Sequence, residues 1–153
     1  MDQEIISIEA AQHDPSVEKQ LVIIIDDSIT VRALAYMHLV RKGMDVLGFP
    51  DGVQALQWLA TPDARLPAVI LVDIDLPKMD GYKIVQLLRE RVRHCHPMVI
   101  MWSSRDGTAD RLKGRLAGVD AYLTKPCPIQ VLIATVQEAL QQFQRQQCNK
   151  DVS

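Results

Sequence analysis

The sequence lacks the features that mark membrane, secreted and nucleic-acid-binding proteins. It has no run near the ~18 apolar residues that a membrane helix needs. Its N-terminus has no basic segment followed by an apolar one, so we expect no secretory signal. Lysine and arginine do not outnumber the acids, and the formal net charge is −2. Without a basic excess, we expect no direct contact with nucleic acid. Without a long apolar run, we expect no membrane partner.

Cysteine is scarce as well. The three cysteines, Cys95, Cys127 and Cys148, are odd in number and lack the spacing of a metal site. Reduced thiols in a cytoplasmic protein are the expected state. The run His94-Cys95-His96 offers an alternative metal cluster, but adjacent residues on one loop rarely converge on a single ion.

The length of 153 residues fits one domain. We predict a folded domain over residues 21–145. An acidic N-terminal tail, residues 1–20, precedes it, in which Ile5, Ile6 and Ile8 could form a short docking helix. A C-terminal tail, residues 146–153, follows. Because no DNA-binding or catalytic domain is recognisable after Phe143, we expect output through protein contact.

Polar groups follow directly after four apolar runs. Leu21–Ile25 precedes Asp26 and Asp27, and Ala68–Val72 precedes Asp73. Two further runs end in the same manner, Met98–Trp102 before Ser103 and Ser104, and Ala121–Thr124 before Lys125 and Pro126. Continuous apolar runs of this length are typical of buried parallel strands. In an open α/β sheet, ligands bind at the edge where such strands stop.

Helical patterns separate these strands. The predicted segments are Ser28–Lys42, a short helix from Val53 to about Thr61, Tyr82–Arg93, Arg105–Ala117 and Ile129–Arg145, and Asp45–Phe49 is a further strand. In the first helix, Leu34, Ala35 and Leu39 form an apolar stripe, and Gly43 should end it. The fourth should be the least anchored, since only Ala109, Leu112 and Leu116 are apolar on one side.

Alternating strands and helices with short connections predict an α/β fold. The flavodoxin-like (βα)5 three-layer sandwich has a parallel five-stranded sheet of order 2-1-3-4-5, which places the first and third strands side by side. Asp26, Asp27 and Asp73 would then be neighbours. Three carboxylates repel one another unless a cation neutralises them, and Mg²⁺ prefers oxygen ligands of this kind.

A carboxylate at such a site can attack a phosphoryl group and form an acyl phosphate. Lys125 would supply a positive charge for the phosphoryl oxygens, and Ser103 a hydrogen-bond donor. Each residue also has a simpler interpretation. Asp26, Asp27 and Ser28 could merely cap a helix, and Asp80-Gly81 could be a plain turn. Their joint occurrence at successive strand ends favours the site.

The chain resembles the CheY-like receiver domain of bacterial two-component response regulators from about Leu21 to Phe143. The matching motifs are Ile25-Asp26-Asp27-Ser28, Val72-Asp73-Ile-Asp-Leu-Pro77-Lys-Met-Asp80-Gly81, Ser103-Ser104 and Tyr122-Leu-Thr-Lys125-Pro126. The stretches Ser103–Gly107, Lys113–Arg115 and Tyr122–Pro126 are similar to the single-domain regulators of type IV pilus twitching motility.

The resemblance implies a phosphorylation-activated signalling module, not an enzyme, whose partners are a histidine kinase or phosphotransfer domain and a downstream protein. The resemblance also allows two copies of this chain to form a homodimer. Asp73 would accept the phosphoryl group. Asp27 would bind Mg²⁺ directly and Asp26 mainly through water. Asp73 and the backbone carbonyl of Asp75 would complete the metal site. Ser103 and Lys125 would bind the phosphoryl group, and Tyr122 would change rotamer with Ser103 as a switch. The Lys125–Pro126 bond is often cis in this family.

The sequence departs from the family pattern at three positions. Asp75 adds charge two residues after the acceptor, Cys127 stands where an aromatic residue is common, and Trp102 is bulky before Ser103. Two alternatives remain. One is a phosphatase of the haloacid-dehalogenase type, whose Asp-x-Asp motif matches Asp73-Ile-Asp75 but usually lies on the first core strand. The other is a receiver fold that no longer accepts phosphate and only binds partners.

Overall fold

The computed structural model describes residues 19–76, 79–91, 96–104 and 107–152. Five strands and five helices alternate along these residues. The strands are β1 (Leu21–Ile25), β2 (Asp45–Phe49), β3 (Val69–Val72), β4 (Met98–Ser103) and β5 (Ala121–Thr124). The helices are α1 (Ile29–Arg41), α2 (Gly52–Leu59), α3 (Gly81–Arg91), α4 (Thr108–Leu116) and α5 (Ile129–Val152).

The strands form one parallel sheet of order β2-β1-β3-β4-β5, which confirms the predicted fold class. Every residue of β1, β3 and β4 is buried, because helices cover both faces of the sheet. One core layer packs α1 and α5 on Val22, Ile24 and Ile100. The other packs α2 and α3 on Ile23, Ile25 and further alternate strand residues.

Side-chain caps fix where two helices begin. The backbone N–H of Val31 donates to Oγ of Ser28 at 3.3 Å, and that of Gln54 donates to Oδ1 of Asp51 at 2.8 Å. These bonds satisfy N–H groups that have no partner within the helix. Since Ser28 caps α1, Asp26 and Asp27 are not needed as its caps. Gly43 follows α1 with φ +88°, as predicted for a glycine that ends a helix.

Three predictions about helices were wrong. Leu34 was expected to face the core but is 48% exposed. In α4, Ala109, Leu112 and Leu116 are exposed, and Gly114 is the buried residue of that helix. Because these three apolar side chains do not face the core, the separate prediction that few apolar contacts anchor α4 is confirmed. The last helix was predicted to end at about Arg145 but continues to Val152, so residues 146–152 are helical.

Several predictions fall on residues outside the described ranges. They concern the acidic segment 1–18, Pro77 and Lys78, the end of the third helix at 92 and 93, residues 94 and 95 of the His-Cys-His run, and residues 105 and 106. His96 is described and is exposed. None of the described helices is both long enough and apolar enough to cross a bilayer.

Candidate functional site

The carboxylates meet because β1 and β3 are neighbours in register. Ile25 pairs with Val72, the last residues of the two strands, and the backbone N–H of Asp73 donates to the carbonyl of Ile25 at 3.0 Å. Oxygens from Asp26, Asp27 and Asp73 all lie within 4.8 Å of one another. Asp26 and Asp73 are buried, while Asp27 is exposed. The predicted acidic cluster is therefore present, and it opens to solvent on the side of Asp27.

Lys125 reaches this cluster from the end of β5. Its Nζ lies 2.5 Å from Oδ2 of Asp26 and 3.2 Å from Oδ2 of Asp73. Its backbone N–H donates to the carbonyl of Ser103 at 2.7 Å, which extends the pairing of β4 and β5 by one residue. The Lys125–Pro126 peptide bond is cis, as the resemblance implied. Lys125 thus bridges the two buried carboxylates.

Burial and neighbouring charges shift the pKa values of Asp73 and Lys125. Burial raises the pKa of Asp73 above its ordinary value, although the N–H of Asp75 and the charge of Lys125 oppose the rise. Burial acts to lower the pKa of Lys125, but the carboxylates of Asp26 and Asp73 outweigh it, so the pKa of Lys125 is raised. The site holds Lys125 as a cation, and the burial of Asp73 makes its negative charge costly.

Asp75 lies beside the acceptor position through its backbone. Its N–H donates to Oδ1 of Asp73 at 3.1 Å, and its side chain is exposed. This bond fixes one oxygen of Asp73, while Lys125 contacts the other. The carboxylate of Asp75 is not a member of the acidic cluster found among the described residues.

Ser103 and Tyr122 lie on neighbouring strands and on one face of the sheet. Ser103 is fully buried at the end of β4 and pairs with Thr124, two residues after Tyr122. Tyr122 is half-buried against the core layer that contains Met101. The guanidinium of Arg111 lies over its ring, 5.3 Å from the centroid. The predicted switch residues therefore share a face, and α4 contacts one of them.

Two residues have a role at the site that the sequence did not assign to them. Gly81 begins α3 so close to the acceptor that a Cβ there would lie 2.4 Å from the backbone oxygen of Asp73. Arg32 donates from Nη1 to the backbone oxygen of Asp26 at 2.5 Å. A glycine at the start of a helix and an arginine one turn after the cap Ser28 were the available signals.

Comparison with known proteins identifies the class. The model of the response regulator receiver domain family matches residues 22–137. This chain therefore belongs to the response regulator receiver domain family. Receiver domains are signalling modules activated by phosphorylation rather than classical enzymes, and the family implies a histidine kinase as phosphodonor. They bind Mg²⁺ at an acidic site, and Asp26, Asp27 and Asp73 form an acidic cluster in this chain.

Particular relatives extend this result. The chain is 38% identical over 122 residues to protein PilG of Pseudomonas aeruginosa, which covers 80% of this chain and 88% of PilG. It is 34% identical over 120 residues to the sensor histidine kinase CheAY of Helicobacter pylori, covering 78% of this chain but 15% of that protein.

Solved structures agree with the sequence matches. The chemotaxis protein CheY4 of Vibrio cholerae superposes with a TM-score of 0.72 at 25% identity, over 80% of this chain and 99% of that one. A CheY-like receiver domain from Methanospirillum hungatei gives a TM-score of 0.76 at 20% identity, over 84% and 99%, and shows the fold alone. Asp73 follows the third strand, whereas the haloacid-dehalogenase motif usually lies on the first core strand. Together with the receiver matches, this position argues against a phosphatase of that type.

Proposed function

We propose that Asp73 accepts a phosphoryl group from a histidine kinase or phosphotransfer domain. The observation that supports this most strongly is the convergence of Asp26, Asp27, Asp73 and Lys125 at one edge of the sheet. An oxygen of Asp73 attacks the phosphorus, the bond from phosphorus to the donor imidazole breaks, and an acyl phosphate forms. The departing imidazole keeps the electron pair of that bond.

The donor set fits a magnesium ion. Asp26, Asp27 and Asp73 would hold it with their carboxylates. Asp75 would add its backbone carbonyl, which gives an all-oxygen set that suits a hard cation. Oδ1 of Asp26 already accepts the N–H of Ser28 at 2.9 Å, and Lys125 contacts Oδ2, which supports a contact through water for this residue. When bound, the ion neutralises the carboxylates and the phosphoryl oxygens.

Ser103 and Lys125 act on the phosphoryl oxygens in this proposal. Both lie at strand ends beside Asp73, and a donor and a cation held in place stabilise spread negative charge without reorganisation. Ser103 moves toward the phosphoryl group, and Tyr122 turns into the space that it leaves. Phosphorylation then biases a two-state element by local contacts.

The output surface that we propose comprises α4, β5 and α5. Leu112 and Leu116 on α4 are 56% and 79% exposed, beside the exposed cations Lys113 and Arg115. Arg111 differs from these cations because it contacts the ring of Tyr122, so it joins the surface to the switch. We propose a downstream protein with an acidic face as the target, in motility or chemotaxis-like signalling, with a second copy of this chain as the alternative.

The kinase would dock elsewhere, on α1. Ile29 is 74% exposed next to the acidic pair, and Tyr36, Met37 and Val40 continue an exposed apolar face along this helix. An apolar helix face beside the acceptor suits packing against a helix of the phosphodonor.

The remaining parts of the proposal follow the sequence. Residues 21–145 form the receiver unit and residues 1–20 and 146–153 flank it, although the second flank begins inside α5. We place the protein in the cytoplasm, in line with its expected reduced thiols, and assign it neither a nucleic-acid nor a membrane partner. Cell fractionation tests the location.

Labelling with radioactive acetyl phosphate and Mg²⁺ tests the acceptor. The wild-type protein should take up acid-stable, base-labile phosphate, and Asp73→Asn should take up none. Asp63→Asn is the matched control, because it makes the same change at an exposed carboxylate distant from the acidic cluster. Normal labelling of Asp73→Asn would place the acceptor elsewhere. Absence of labelling in the wild type would favour the receiver that only binds partners.

A further inference from the structure

Trp102 lies under the ammonium of Lys125. It is only 9% exposed and belongs to the core layer beneath α1 and α5, on the face of β4 opposite to Ser103. Nζ of Lys125 lies 4.9 Å from the centroid of its ring system. The same nitrogen contacts Oδ2 of Asp26 and Oδ2 of Asp73. The ammonium therefore rests between two carboxylates and one aromatic face.

The contact is of the kind that attracts a cation. The face of an aromatic ring carries negative potential, tryptophan has the strongest such face, and a cation within about 6 Å of the centroid is attracted to it. The attraction is largest where water is excluded, and Trp102 is buried. A lysine side chain has four rotatable bonds and loses much freedom when its end is fixed, so an extra contact at Nζ matters for its position.

Apolar packing alone does not account for tryptophan at this position. Nε1 of Trp102 is buried and finds no hydrogen-bond acceptor in the described part of the chain. Leucine or phenylalanine would fill a core without burying that N–H group. The ring face, and not the N–H, makes the polar contact of this side chain.

We propose that Trp102 is a positioning residue that holds Lys125 at the acidic cluster by a cation–π contact. It acts through Lys125 and does not touch the phosphoryl group. The proposal rests on the proposed acceptance of phosphate by Asp73. When the phosphoryl group arrives, Nζ has to contact it as well as the carboxylates, and the ring keeps the ammonium within reach.

A double-mutant cycle tests the contact without any phosphodonor. The four proteins are wild type, Trp102→Leu, Lys125→Met and the double variant, and the measurement is urea unfolding. We expect a coupling of roughly two- to thirty-fold in the unfolding equilibrium constant, or ~0.5–2 kcal/mol. Zero coupling would overturn the proposal. If Trp102 served only in packing, the coupling would be zero, because Trp102→Leu would lower the stability by the same amount with and without Lys125.

Labelling by acetyl phosphate tests the consequence for function. Trp102→Leu should slow labelling by a similar two- to thirty-fold, and Trp102→Phe should recover part of the rate because a smaller aromatic face remains. Equal rates in wild type and Trp102→Leu would overturn the positioning role. If wild type takes up no label, the proposed function fails, and the unfolding cycle still decides whether the contact exists.

A fluorescence measurement keeps the proposal testable if Trp102→Leu does not fold. The chain has two tryptophans, and the other, Trp58, is removed as Trp58→Phe. In that background, Lys125→Met should shift the emission wavelength of Trp102, because the substitution removes the positive charge over the ring. Beryllium fluoride with Mg²⁺, added as a phosphoryl mimic, should change the emission only while Lys125 is present. Emission insensitive to Lys125→Met would contradict the contact.

Discussion

A single methyl group at Gly81 should disturb both the fold and the acceptor. An added Cβ would lie 2.4 Å from the backbone oxygen of Asp73 and 2.9 Å from Cα of Ile74. Both atoms belong to the backbone, so no side chain can rotate away. To reach an ordinary contact of 3.4 Å, the start of α3 and the segment after β3 must separate by about 1 Å.

This separation sets the size of the effect. Forcing an extra methyl into a packed site costs about 1–3 kcal/mol, which for a chain of this length lowers the unfolding temperature by roughly 3–10 °C. A shift of about 1 Å in a reacting group can cost ~100-fold in rate. We therefore expect Gly81→Ala to label with acetyl phosphate roughly ten- to hundred-fold more slowly than wild type. Calorimetry and the labelling time course measure the two quantities.

Gly114→Ala is the matched control. This glycine is also helical and buried, but its Cβ would lie 3.5 Å from the nearest atom, in the side chain of Tyr122. Alanine is favoured over glycine inside a helix by up to ~1 kcal/mol, so this variant should unfold about 2–4 °C higher and label normally. If Gly81→Ala unfolds and labels like wild type, the close approach to Asp73 does not constrain the site.

Three further predictions concern metal, pH and output. Asp27→Ala should weaken Mg²⁺ binding by about tenfold or more in a tryptophan-fluorescence titration, whereas removal of the distant exposed carboxylate in Asp63→Ala should not. Burial raises the pKa of Asp73 in the folded state, so the stability linked to its proton is present below its ordinary pKa of 3.8 and is lost as pH rises through the folded value. Without Mg²⁺, Asp73→Asn should therefore unfold at a higher temperature than wild type at pH 7, and the gain should vanish in acid; an equal gain at both pH values would contradict this linkage. Arg115→Glu should reduce capture of the downstream protein by up to about fivefold at low salt while labelling of Asp73 stays unchanged, and undiminished capture would place the interface elsewhere.

The sequence by itself determined the order of the elements and the residues at the strand ends. Buried parallel strands appear as continuous apolar runs, and the group that follows each run must lie at one edge of the sheet. Asp26, Asp73 and Lys125 were found in this way, because local pattern and chain order suffice to place them. The motifs then indicated the family.

Tertiary structure decided which faces pack and what the site residues touch. Helix α1 has apolar side chains all round, so its sequence could not show that Ala35 and Leu39 are buried while Leu34 and Tyr36 are exposed. Periodicity identifies a buried face only when the opposite face is polar.

The contacts of Trp102 and Gly81 have the same origin. From the sequence, Trp102 was only a bulky residue before Ser103, and Gly81 was only the last residue of a family motif and of a turn. The ring lies under Lys125 because β4 and β5 pair in one register, and Gly81 approaches Asp73 because α3 packs against the end of β3. Distances between residues far apart in the chain follow from strand register and helix packing, which the pattern within each segment does not encode.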